Sequence, residues 1–192
     1  MKKYLMIILA ACLTLTACGP KLSGEKIEYK DASEYETEAE DTDDDDYSIA
    51  TEGEAAPDIT LTAFDGTEKK LSDYYGKPTV INFWATWCGY CIMEMPAFQK
   101  LCDSYGDDIN VIALNCGDSA EDAEAYMQST DYTFEAVTVS AEDSFKFGAE
   151  SIPVTVIIDK DGIVQFYKLG GGDSDEVFEY ELAPVIDELL GK

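Results

Sequence analysis

The chain has 192 residues, 40 of them acidic and 13 basic, no histidine and a formal net charge of −27. Without histidine there can be no Ser–His or Cys–His nucleophile pair and no His-containing zinc site. The charge disfavours nucleic acid and anionic membrane surfaces as partners, and the length fits one domain with appendages.

The first segment reads as a secretion signal. Lys2 and Lys3 form a charged start, and the apolar run from Leu5 to Leu15 is too short for an ordinary membrane span. It ends in Leu15-Thr16-Ala17-Cys18, which resembles the lipobox of bacterial lipoproteins. That resemblance implies cleavage after residue 17 and diacylglyceryl attachment to Cys18, two acyl chains being what stable anchoring needs. Leu9-Ala10-Ala11-Cys12 fits the pattern too but leaves too short an apolar run. The alternative is an ordinary cleaved signal with a chance cysteine. Either reading puts the mature chain outside the cytoplasm, where disulfides persist.

Residues 18–55 read as a disordered acidic tether. Gly, Ser, Thr and acids dominate, Asp41-Thr42-Asp43-Asp44-Asp45-Asp46 lies at the centre, and hydrophobic periodicity is absent. A neutral coil of this length spans roughly 30–40 Å, and self-repulsion extends it further. The aspartates lack the glycine and distal glutamate of an EF-hand loop.

The folded part is expected over residues 56–192. Ile59, Leu61 and Phe64 alternate up to the turn signal Asp65-Gly66, and Thr67 to Lys70 returns. Leu71 to Tyr75 reads as a short helix stopped by Gly76. Thr79-Val80-Ile81-Asn82-Phe83-Trp84 reads as a strand covered on both faces, running into Cys88-Gly89-Tyr90-Cys91 at a helix start. Two thiols at i and i+3 can close a disulfide with little backbone movement, and the unpaired N–H groups of the helix end favour a thiolate on the first. The helix carries Ile92, Met95, Phe98, Leu101, Cys102 and Tyr105 on one face, with a kink expected at Pro96. A second buried strand is expected over 108–114, a helix capped by Ser119 through Met127, a strand over 134–139 and a short helix over 142–147. Pro153 opens a further strand, Asp159-Lys160-Asp161-Gly162 turns it back, Gly170-Gly171-Gly172 is a loop, and an amphipathic helix kinked at Pro184 closes the chain. The order β-β-α-β-α-β-α-β-α-β-β-α predicts an α/β fold with a mostly parallel central sheet and an antiparallel final hairpin.

With these residues in hand, the domain resembles the thioredoxin superfamily, and within it the membrane-tethered thiol–disulfide oxidoreductases of the TlpA/ResA type. The resemblance rests on Ala56-Pro57-Asp58, on the run from Asn82 to Cys91, on Glu94-Met95-Pro96, and on Ile152-Pro153-Val154-Thr155 with Ile158 to Gly162. It implies a thioredoxin fold with an N-terminal β-hairpin and a central α-β insertion between Gly117 and Val139. It implies Cys88 as attacking thiolate, Cys91 as resolving thiol, and a cis Ile152–Pro153 bond that offers the Ile152 backbone to a substrate strand and keeps metals off the thiols. Trp87 would pack beside the site. Glu94 would adjust the cysteines or move a proton, against the plainer reading of a solvent-facing helix glutamate. Asn82 stands where thioredoxin has a buried aspartate, so it is not a base. The implied partners are exported protein disulfides as substrates and a CcdA-type membrane thiol carrier as electron donor. No cofactor, no metal and a monomer are expected.

Alternatives stay open at this stage. The Gly89-Tyr90 dipeptide resembles that of a periplasmic disulfide isomerase family, so oxidase or isomerase activity competes with reduction. A peroxiredoxin-like peroxidase would need a threonine three residues before its cysteine, where Ala85 stands, and an arginine partner. Copper binding would use two thiolates without the usual histidine, and a redox-inert adaptor would need neither cysteine. Cys102 reads as an inert core residue and Cys116 as a core residue or a third redox thiol.

Overall fold

The computed structural model describes residues 49–192; the expected signal peptide, Cys18 and most of the expected tether lie outside the described residues. In chain order, β1 (Thr60–Thr62) and β2 (Glu68–Lys70) form a hairpin, followed by a 3-10 turn at Leu71–Tyr74. Then come β3 (Thr79–Trp84), α1 (Gly89–Tyr105), β4 (Asn110–Asn115), α2 (Ala120–Gln128), β5 (Glu135–Val139) and α3 (Ala141–Phe145). β6 (Val154–Ile158) and β7 (Val164–Leu169) form the second hairpin. The chain closes with α4 (Ser174–Glu176), a π-helical stretch (Val177–Leu182) and α5 (Ala183–Leu190).

The strands make one seven-stranded sheet in the order β2-β1-β5-β4-β3-β6-β7. All six residues of β3 are buried because both sheet faces are covered. Ile81 and Phe83 face one core with Leu61, Leu71, Leu114, Val156 and Phe147. Val80 and Trp84 face the other, with Met95, Phe98 and Leu101 of α1 and with Leu182 and Ile186. Full burial of such side chains is worth ~1.5–3 kcal/mol each, so the alternation along β3 holds both layers to the sheet.

The expectation of a mostly parallel sheet does not hold. Only β3–β4 and β4–β5 are parallel; the other four of the six pairings are antiparallel. Residues 140–153 link β5 to β6, and the one helix among them, α3, has five residues, so no helix runs the length of the sheet here. The chain re-enters at the end it left, and β6 starts with Val154 opposite Phe83 of β3. This places Pro153 beside the turn that carries Cys88.

The packed domain also begins before the expected boundary at Ala56. Ala50 is buried and its N–H donates to the Lys146 carbonyl (2.9 Å). Gly53 donates to Val164, Val164 to Glu54 and Ala56 to Gly162, so this segment covers the start of edge strand β7. The prolines behave differently from one another. α1 runs unbroken across Pro96. Before Pro184 the helix widens to π, with the Ala183 N–H donating to the Phe178 carbonyl, which relieves the clash a proline ring makes with the carbonyl four residues back.

Candidate active site

β3 ends at Trp84, the chain turns through Ala85–Trp87, and Cys88 is the N-cap of α1. Cys88 and Cys91 are joined by a disulfide, with their Cα atoms 5.3 Å apart. Cys88 Sγ also accepts the Cys91 N–H at 3.2 Å. Cys88 is 7% exposed and Cys91 fully buried, so the first sulfur is the one an outside group reaches. The N-terminal N–H groups of α1 and its dipole favour a thiolate there once the bond is reduced.

A carboxylate that the sequence reading missed clamps this turn. Asp118 accepts from the Thr86 N–H (2.7 Å), the Thr86 hydroxyl (2.7 Å) and the Asn115 amide (2.8 Å). Burial alone would raise its pKa, but these hydrogen bonds outweigh it and hold the carboxyl below its usual range. Its stabilising effect is therefore present above the ordinary aspartate pKa and is lost as pH falls through the lower folded value. Asp118→Ala leaves the Thr86 and Asn115 donors unpaired. We expect a loss of about 2–3 kcal/mol in denaturant unfolding, with slower disulfide exchange as the turn loosens. Beside it the indole of Trp87, itself exposed, lies on Gly117 and donates to its carbonyl (3.2 Å). A Cβ at Gly117 would stand 2.8 Å from Ala85 Cβ and 3.0 Å from the indole, so only glycine fits.

The opposite wall comes from the start of β6. The Ile152–Pro153 bond is cis, and the Ile152 carbonyl oxygen lies 3.8 Å from Cys88 Sγ. The Gly170 N–H donates to the Pro153 carbonyl (2.8 Å), which brings the triple-glycine loop to the site. A Cβ on Gly171 would come 3.0 Å from the Tyr90 carbonyl oxygen and 3.1 Å from Pro153 Cγ. Trp87, Tyr90, Met93 and Leu169, near the disulfide or the Pro153 loop, are all exposed apolar side chains.

Behind the cysteines, Glu94 is fully buried, which rules out the solvent-facing alternative. It lies one helical step past Cys91. Its Oε1 accepts from Asn82 Nδ2 (2.9 Å), and the same amide donates to Thr155 Oγ1 (3.2 Å). Burial pushes the Glu94 pKa up to about 7; the Asn82 hydrogen bond and Lys168 oppose the rise, and Glu181 adds to it. Glu94 Oε2 and Asn82 Oδ1 are both buried acceptors without a donor. A buried carboxylate oxygen with no donor is costly while charged, so the packing and the raised pKa both favour the protonated carboxyl up to about pH 7.

The two remaining described cysteines are free and half-buried. Burial raises the Cys102 thiol above its ordinary pKa and the Cys116 thiol to about 11, so both stay protonated at neutral pH. Cys116 Sγ faces the Trp84 carbonyl at 3.8 Å. Thr155, Asp118, Asn115, Gly117 and Gly171 are the site residues to which the sequence reading gave no role. An alternating polar residue inside a buried strand was the one available signal, and it marks Thr155 as it marks Asn82.

The model of the AhpC/TSA family matches residues 53–167. The thioredoxin-like protein YneN of Bacillus subtilis (strain 168) is 37% identical over 123 residues, covering 62% of this chain and 72% of that protein. The thiol-disulfide oxidoreductase ResA of Geobacillus thermodenitrificans (strain NG80-2) is 34% identical over 116 residues, 59% of this chain and 66% of the relative. Among solved structures, a protein of Chlorobium tepidum provisionally named as the thiol:disulfide interchange protein DsbE superposes with a TM-score of 0.65 at 26% identity, over 75% of this chain and all of that one. The exposed lipoprotein thioredoxin Etrx1 of Streptococcus pneumoniae strain TIGR4 superposes with a TM-score of 0.53 at 26% identity, over 64% of this chain and 96% of that one.

Proposed function

The chain belongs to the AhpC/TSA family, and from that premise we propose that it reduces disulfides of exported proteins from a lipid anchor on the outer side of the cell membrane. Thiol–disulfide exchange is what its relatives are named for, and the Cys88–Cys91 pair is where this chain would carry it out. The observation that carries the reading is Cys88, the less buried of the pair, at the α1 N-terminus beside the Ile152 carbonyl and backed by fully buried Cys91. The expected signal and the lipobox at Cys18 support the location, as does likeness to a protein named an exposed lipoprotein.

In the proposed cycle the Cys88 thiolate attacks one sulfur of a substrate disulfide. The other substrate sulfur leaves as a thiolate and takes a proton from water. Cys91 then gives its proton to the Glu94 carboxylate and attacks Cys88 Sγ, releasing the second substrate thiolate. Two electrons have passed to substrate, and the Cys88–Cys91 disulfide remains, as in this structure. Trp87, Ile152 and Pro153 hold the substrate segment. A CcdA-type membrane thiol carrier returns two electrons and two protons.

A reduction potential near that of thioredoxin, about −270 mV, is the expected result against a glutathione buffer. A value of about −180 mV or above overturns the reductive direction in favour of oxidase or isomerase work. A peroxidase reading lacks its arginine, since all 13 basic residues are lysines, and predicts hydrogen peroxide turnover that the reductase does not.

A further inference from the structure

Three polar side chains lie in one row across the α1 face of the sheet. Asn82 of β3 stands directly opposite Thr155 of β6, and Thr155 directly opposite Lys168 of β7. Directly opposed residues of antiparallel strands project from the same face. The neighbouring row, Val80, Ile157 and Phe166, is apolar and packs under α1 and the C-terminal helix. Within that greasy layer the polar row continues past the sheet edge, because Lys168 pairs with Glu181 of the π-helical stretch. Glu94 sits over the closed end of the row, held by Asn82. The other end meets solvent, with the Lys168 and Glu181 side chains 22% and 33% exposed.

We propose that Lys168 and Glu181 are positioning residues for the Glu94 carboxyl: their ion pair ends the polar row and sets the pH at which Glu94 can take the Cys91 proton. The titratable groups facing Glu94 are few. Lys168 of β7 and Glu181 of the π-helical stretch act on it through their charges, the Cys91 thiol of its own helix joins them once the disulfide is reduced, and β3 and β6 present Asn82 and Thr155, which do not titrate. Lys168 favours the Glu94 carboxylate and Glu181 opposes it. The pair itself meets solvent, but Glu94, Asn82 and Thr155 are buried, so the charges reach Glu94 only partly screened. The pair thus holds two opposed influences whose balance the strand register and the π turn before Pro184 both help to set. The inference rests on the exchange chemistry of Cys88 and Cys91 and is independent of its direction.

The test titrates the Glu94 carboxyl in the full chain by its infrared carbonyl band, with Glu94→Gln as the control that removes the signal. Lys168→Gln is expected to raise the midpoint by about 1 pH unit, because the cation goes and the Glu181 charge stays. Glu181→Gln is expected to lower it, and Lys168→Arg to restore it. The pH profile of disulfide exchange moves in the same sense for each variant. Midpoints that stay in place in both glutamine variants, or move in the same direction, overturn the proposal. If the unaltered protein exchanges no protein disulfide at any pH, the exchange reading fails, and the carboxyl titration still judges the ion pair by itself.

Discussion

Replacing Cys91 by serine should stall the protein on its substrates. The Cys88 sulfur keeps its place at the N-terminus of α1 and its exposure, so the first attack proceeds. Release requires a second sulfur at the 5.3 Å Cα separation seen here, and a serine hydroxyl cannot form that bond. Turnover is expected to fall on the order of 10³-fold or more, as for other nucleophile removals. Mixed disulfides should accumulate on Cys88 in cells making the variant and vanish on adding a thiol. Non-reducing electrophoresis followed by mass spectrometry identifies them. Cys88→Ser should trap nothing, because the freed Cys91 is fully buried and Cys102 and Cys116 are half-buried thiols raised away from the thiolate form. Adducts found on Cys116 instead of Cys88, or a Cys91→Ser variant that turns over normally, would refute this assignment. The identity of the trapped proteins then tests the proposal that the substrates are exported: cytoplasmic proteins alone among them would overturn it.

The second large effect belongs to Glu94→Gln, which should gain stability and lose activity together. The folded pKa of Glu94, about 7, lies above its ordinary 4.5. Below pH 4.5 both folded and unfolded chains hold the proton, and Glu94 costs nothing by linkage. Between 4.5 and 7 the unfolded chain releases a proton that the folded chain keeps, so stability falls as pH rises. Above 7 the loss has levelled off at about 3 kcal/mol. Glutamine cannot ionise, so it avoids the cost of a buried charge while keeping an oxygen to accept from the Asn82 amide. At pH 8 the oxidised variant should therefore be more stable than the parent by about 3 kcal/mol, and at pH 4 nearly equal. Denaturant melts at the two pH values measure the difference, which also cancels the general effect of the −27 charge. Exchange should fall about 10²-fold near neutral pH, because Cys91 loses the base one turn away. Equal pH dependence of stability in the two proteins would mean that Glu94 is already ionised when buried.

Much of this protein is legible along the chain because its governing interactions are local. The β3 run is apolar at every position but Thr79 and Asn82, and so predicts a strand covered on both faces. Cys88-Gly89-Tyr90-Cys91 at a helix start specifies a closable thiol pair, since i and i+3 meet at an N-terminus whatever lies beyond. Asp65-Gly66 and Asp159 to Gly162 announce hairpins by turn chemistry, and Pro184 announces a disturbed helix. The tertiary structure alone decided the rest. The sense of β6 shows only in its antiparallel pairing with β3, a contact no single segment contains. The domain start at Ala50 depended on an open edge on β7 and on Lys146 nearby. Glu94 reads the same in sequence whether it faces water or Asn82. Its burial, its raised pKa and its row of partners out to Lys168 and Glu181 come from strand register, which joins residues more than seventy positions apart through contacts that no local pattern encodes.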